Sequence, residues 1–196
     1  MSYYTNYQLS FAQTCAGIQV TAGGGESIKV PAAIDRLCGL SREVQASGGQ
    51  QIFCGNGASA AFASHMALDW AKNARVDSRC FSDVALLTAT VNDIGADDLF
   101  AGPLLWHGHA GDLLVTISSS GNSPNIIKAL EVARQLNMQV VTFSGLQPDN
   151  KSRVAGDLNF YVPAMTYGMV ECAHQLLLHA WLDCFLGIEE WQVNKA

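Results

Sequence analysis

The apolar positions of the chain change period along its length, and the changes mark out the elements. Residues 3–19 mix aromatic and aliphatic side chains with polar ones, and Gly23-Gly24-Gly25 interrupts them. From Glu26 to Ala46 the apolar positions Val30, Ala33, Ile34, Leu37, Cys38 and Leu40 fall on one helical face. Pro31 suits the first turn of that helix, where a missing N–H breaks no hydrogen bond. Residues 1–48 are therefore expected to be a helical N-terminal segment, broken at the glycines.

After Gly48-Gly49, short apolar runs replace the helical period. Gln51-Ile52-Phe53-Cys54 reads as a buried strand. The turn Gly55-Asn56-Gly57-Ala58-Ser59 then leads into an Ala-rich helix over residues 60–74. Ser82-Asp83 caps a helix over residues 84–90, Asn92-Asp93-Ile94-Gly95 is turn chemistry, and Asp97-Asp98 begin another short helix. Leu113-Leu114-Val115-Thr116-Ile117 is a second strand, followed by the loop Ser118-Ser119-Ser120-Gly121-Asn122-Ser123. Pro124 starts a helix with Ile126, Ile127, Leu130 and Ala133 on one face. Residues 139–143 and 158–162 are further strands, and a last long helix covers residues 168–186.

The order helix, helix, β-α-β-α-β-β-α predicts an α/β protein. The expected architecture is a three-layer α/β/α sandwich with a small parallel sheet and a helical N-terminal extension. One domain is expected over residues 1–196, with its α/β core at 49–187. Such sheets bind ligands at the carboxyl ends of their strands, where two loops rich in Gly, Ser and Asn are placed.

Composition narrows the function classes. With 49% apolar and 14% charged residues, the chain does not read as disordered. No apolar run is long enough to predict a spanning helix, and the N-terminus lacks the basic start and apolar stretch of a signal peptide. A cytoplasmic protein without a membrane partner is expected. The net charge is -6 and no Lys/Arg cluster is present, so no nucleic-acid partner is expected. An anionic small ligand remains compatible, because backbone N–H groups bind phosphate without any lysine. Cys15, Cys38, Cys54, Cys80, Cys172 and Cys184 form no C-x-x-C pair and are expected to be small buried hydrophobes.

The strongest chemical signal is the loop of residues 118–123. Its hydroxyls and free N–H groups converge on a helix N-terminus, where the dipole favours an anion. An ordinary Ser-rich turn with Ser123 as N-cap accounts for one serine, not for four. Gly55 to Ser59 is neither a dinucleotide fingerprint nor a Walker loop, and alone it reads as a tight βα turn. His65 and Asp69, four apart, share a helix face and could bind a metal or move a proton, or simply pair with each other. Glu171 and His179 are eight apart, about 12 Å along one helix axis, which is far for two ligands of one metal from one straight helix. His174 reads as a supporting or core histidine, and His107 and His109 as solvated loop residues at the wrong end of a strand.

Taken together, residues 54–59, His65 with Asp69, Asn92-Asp93, residues 118–123 and Glu171 with His179 resemble, in order and spacing, the sugar isomerase (SIS) domains, and in particular their phosphoheptose isomerase branch. The resemblance implies an SIS-type, flavodoxin-like fold. It implies Ser118, Ser119, Ser120 and Ser123 as phosphate ligands, and Asn56, Gly57, Ala58, Asn92, Asp93 and Glu171 as substrate contacts. It also implies zinc as cofactor on His65, Asp69, Glu171 and His179. The implied activity is aldose–ketose isomerisation of a phosphorylated sugar, sedoheptulose 7-phosphate above all, with Asp69 as base and His179 as acid. Homotetramers with sites at subunit boundaries are implied too. The chain departs from the pattern at Asp69 for Glu, Glu171 for Gln, Asn73 for Arg and Ala58 for Gly. A non-catalytic sugar-phosphate-binding or interaction protein of the same fold is the competing expectation. The retained acid and histidine pairs favour the enzyme.

Overall fold

The computed structural model describes residues 1–193. Strands β1 (Gln19–Ala22), β2 (Ser27–Ile28), β3 (Gln51–Gly55), β4 (Ser78–Cys80), β5 (Leu113–Ser118), β6 (Gln139–Gly145) and β7 (Leu158–Val162) form one sheet in the order β2-β1-β7-β6-β5-β3-β4. The five strands from β3 onward run parallel, whereas β1 pairs antiparallel with both β7 and β2. The sheet is thus mixed, and the N-terminal segment, expected to be helical with a break at the glycines, supplies its antiparallel edge. The cause is local: Val20 and Ala22 are buried while Gln19 is exposed, a period of two that only pairing with β7 exploits.

Helices cover both faces. Alternation along the strands sends Phe53, Val115, Ile117, Val141 and Phe143 to one face and Ile52, Cys54, Leu114 and Val140 to the other. On the first face lie α2 (Val30–Ser47), α3 (Ala58–Asp69) and α7 (Tyr167–Leu186), contributing Leu37, Met66, Leu178 and Trp181 to a shared core. On the second lie α5 (Ala101–His107) and α6 (Pro124–Gln135), contributing Leu104, Ile126 and Ala129. Helix α1 (Tyr3–Ala16) is outside both cores, with no buried residue.

Local chemistry fixes several boundaries. Asp83 caps α4 (Val84–Asp93) by accepting from the Leu86 N–H at 3.0 Å. This helix runs through Asn92 and Asp93, which were expected in a turn. Ala96–Asp98 is a single 3-10 turn, with α5 after it. Helix α3 ends in a π turn over Trp70–Ala74, so the long helix expected there is two joined pieces. A short helix, α8 (Glu190–Val193), closes the described chain. No helix is long and apolar enough to cross a membrane among the described residues.

Candidate active site at the carboxyl edge of the sheet

The strand order reverses between β3 and β5. From β3 the chain moves outward to β4, and from β5 it moves the other way to β6. Helices α3 and α6 therefore leave towards opposite faces and open a crevice between the two loops, the place where open α/β sheets bind ligands. A cavity of about 180 Å³ lies there.

One wall is the serine loop. Ser118 ends β5 and Ser123 is the N-cap of α6, yet Ser123 makes no side-chain cap bond. Ser118, Ser119, Ser120 and Ser123 all line the cavity. Ser119 is buried and its Oγ has no partner, an orphaned donor facing an anion-sized space. The loop is braced from behind. Gly121 has φ 63°, donates to the Ser118 carbonyl at 2.9 Å and receives the Ser152 hydroxyl at 2.9 Å. A side chain at Gly121 would overlap Asn150.

The second wall is the turn after β3. A Cβ on Gly55 would sit 2.6 Å from the Ser59 carbonyl oxygen, and Gly57 holds φ 58° as N-cap of α3. Ala58 is the first residue of that helix. Asn56 and Ser59 line the cavity. Across the crevice Asn56 Nδ2 donates to Asn125 Oδ1, and Asn125 Nδ2 donates to Asn56 Oδ1, both at 3.0 Å.

The third wall is the first turns of α7, through Tyr167 and Glu171. Its N-cap, Thr166, also makes no side-chain cap bond. Three helices, α3, α6 and α7, thus begin around this cavity, and none of them has a side-chain cap bond. Their dipoles favour an anion there without a lysine or arginine in the lining, where Glu171 is the single ionised type. Tyr167 and Asn125 are not singled out by the sequence. The place of Tyr167, soon after a strand and at the start of a helix, is the one signal that could mark it.

A second centre lies farther along α3 and α7. His65 Nε2 is 3.3 Å from Asp69 Oδ2, and the rings of His65 and His179 lie 5.3 Å apart. One ligand atom from each of His65, Asp69 and His179 can be chosen so that all lie within 4.8 Å of one another. Two imidazoles and a carboxylate at this spacing fit zinc, which takes nitrogen and oxygen ligands at about 2.0–2.2 Å.

The structure divides the expected zinc set. Glu171 stands outside this trio and in the serine cavity, two turns of α7 and about 12 Å of axial rise from His179. Asn92 and Asp93 are exposed on α4, where Asn92 Nδ2 donates to Asp93 Oδ1 at 2.7 Å. Asn73 is exposed on the π turn.

The other polar candidates fall away from both centres. His174 is fully buried and its Nε2 donates to the Ser144 carbonyl at 3.1 Å. Desolvation lowers its pKa to about 4, against the opposing pull of that hydrogen bond. His107, the last residue of α5, and His109 are exposed. Among the cysteines, Cys38 and Cys54 are buried, and burial raises both thiol pKa values, Cys38 to about 12. Cys172 and Cys184 are exposed on α7, contrary to the expectation of burial, because they lie off its core face.

A doubly wound sheet with a serine-lined cavity at its switch point defines the class. The SIS domain family matches residues 29–145, and the chain belongs to that family. Within it the chain falls in the phosphoheptose isomerase branch. It is 34% identical over 154 residues to the phosphoheptose isomerase of Aromatoleum aromaticum, covering 72% of this chain and 78% of the relative. Against that of Rhodospirillum rubrum it is 32% identical over 176 residues, covering 87% and 90%. The structure of a phosphoheptose isomerase from Francisella tularensis superposes with a TM-score of 0.81 at 25% identity, covering 94% of this chain and 98% of that one.

Proposed function

We propose that the protein interconverts sedoheptulose 7-phosphate and D-glycero-D-manno-heptose 7-phosphate. The observation that carries this reading is the serine cavity, where three helix N-termini and the orphaned Ser119 hydroxyl meet without a cationic side chain. Ser118, Ser119, Ser120 and Ser123 hold the phosphate by neutral donors. Asn56, Gly57 and Ala58 touch the sugar, joined by Asn92, Asp93 and Glu171.

Isomerisation moves a proton between adjacent carbons through an enediol, which takes a base at carbon and an acid at oxygen. Asp69 is the base: Oδ2 faces His65, which leaves Oδ1 to take the proton. His179 is the acid at the carbonyl oxygen. His65, Asp69 and His179, completed by Glu171, would hold a zinc ion, whose Lewis acidity would polarise the substrate oxygens.

Within one chain the two centres stand apart, which supports sites shared between subunits, and the assembly proposed is the homotetramer that the resemblance implies. There the serine cavity and Glu171 of one subunit would face the histidine trio of another. Leu68, Leu176, Ile188 and Trp191 are exposed, and the last three line an apolar cavity of about 410 Å³ beside His179. Asn92-Asp93 on the exposed α4 would reach a site in the same way. Sedimentation in solution tests the assembly.

Consumption of sedoheptulose 7-phosphate tests the activity. Asp69→Asn and His179→Ala should each lose about 100-fold or more. Wild type and both variants equally silent, while the sugar phosphate still binds, would show a binding protein instead.

A further inference from the structure

We infer that Asn125 is a positioning residue that holds the Asn56 carboxamide in place across the crevice for the substrate. The inference rests on the sugar-phosphate reading above. A carboxamide carries two N–H donors and two acceptor lone pairs on its oxygen. The reciprocal pair uses one donor and one acceptor from each partner, both at 3.0 Å. Asn56 therefore keeps one N–H and one lone pair, and it lines the cavity where Asn125 does not.

The terminal torsion of an asparagine is broad, so an unpaired Asn56 carboxamide would swing at little cost. An apolar neighbour would leave it free to swing. Two hydrogen bonds to Asn125 hold it, and they form in either joint orientation of the two amides, so what they fix is the place and plane of the group. The place of the pair gives the lock its reach. Asn56 follows β3 and Asn125 lies in the first turn of α6 after β5. These loops flank the switch point and lead to helices on opposite faces of the sheet. The lock thus fixes the sugar-contacting turn relative to the serine loop, across a crevice that the strand order opens.

The serine seat has its own bracing, from Ser152 to Gly121 and from the Lys151 N–H to Asn122 Oδ1 at 3.0 Å. Removing Asn125 should therefore leave the phosphate seat intact and disturb the sugar end alone.

The test is a double-mutant cycle of Asn56→Ala and Asn125→Ala. Readouts are kcat/KM for sedoheptulose 7-phosphate, the Kd of that sugar phosphate, the Kd of inorganic phosphate, and the melting temperature. Asn125→Ala should lower kcat/KM about 10- to 100-fold. It should leave the inorganic phosphate Kd within twofold and reduce the extra affinity of the sugar phosphate. The double variant should be no worse than Asn56→Ala alone. Asn125→Ser, which keeps a donor and an acceptor, should recover part of the loss. If Asn125→Ala stays within twofold of wild type, if the two losses multiply, or if inorganic phosphate weakens in parallel, the inference fails. A melting temperature that falls equally in Asn125→Ala and Asn125→Ser, without recovery in the latter, would also mark a merely structural residue. A wild-type chain silent on phosphosugars would sink the enzymatic reading instead, and the two binding constants would still decide the lock.

Discussion

The imidazole rings of His65 and His179 meet edge to face, with centroids 5.3 Å apart and planes inclined by 61°. Asp69 closes the triangle. Protein purified without chelator should carry about one zinc ion per chain, within the tetrahedral chemistry of such ligands. Elemental analysis should find it lost in His65→Ala and in His179→Ala. Chelation should lower the melting temperature of wild type but not of either variant. Zinc-free wild type whose melting is insensitive to added zinc would remove the metal from the account.

The serine loop predicts a graded loss of anion affinity. Hydrogen bonds to a charged group contribute about 1.5–3 kcal/mol each, so Ser119→Ala or Ser120→Ala should weaken inorganic phosphate by roughly tenfold or more. Titration calorimetry reads this directly. Ser119→Ala should fold normally, since its hydroxyl has no protein partner to lose.

Gly121 should tolerate no side chain. Its φ of 63° disfavours other residues, and a Cβ there would overlap Asn150. Gly121→Ala should destabilise the chain by about 2–4 kcal/mol and misplace the loop. Chemical denaturation measures the first, and phosphate binding the second.

His174 gives the chain an acid limit. Its pKa is about 4 in the fold against 6.5 as the ordinary value. The unfolded chain therefore binds the extra proton between those two pH values. Stability from this residue is complete above pH 6.5 and is lost as pH falls towards 4. The loss amounts to about 3 kcal/mol at the acid end, at 1.36 kcal/mol per pKa unit. Melting temperatures from pH 8 to pH 4.5 should decline, and His174→Gln should flatten that part of the curve.

Much of the fold and part of the site are legible in the amino-acid order alone. Residues 113–124 announce strand, loop and helix because a buried run, four serines and a proline each restrict the backbone in turn. His65 and Asp69 announce one helix face by their spacing. That His179 joins them comes from the family resemblance and not from spacing, because it depends on α3 and its π turn packing against α7, where the rings of Trp70 and Trp181 lie 4.6 Å apart. The short strands β1, β2 and β4 are hidden too, since runs of two to four residues hold no period until a partner strand selects them. Helix α5 hides behind Gly102-Pro103, yet Pro103 sits in the first turn, where it removes no helical hydrogen bond. Asn125 looks like any polar residue on a helix, because its partner is a loop that only the strand order brings near.

The lysine-free seat has a kinetic consequence. A chain of net charge -6 repels an incoming dianion at long range, and no cationic lining offsets this at the entrance. Capture is then slowed by the field of the whole molecule, while retention depends on short-range dipoles that dissolved ions screen poorly. Added salt should therefore quicken the on-rate and leave residence time nearly untouched, the reverse of what a pocket built from lysines and arginines would give.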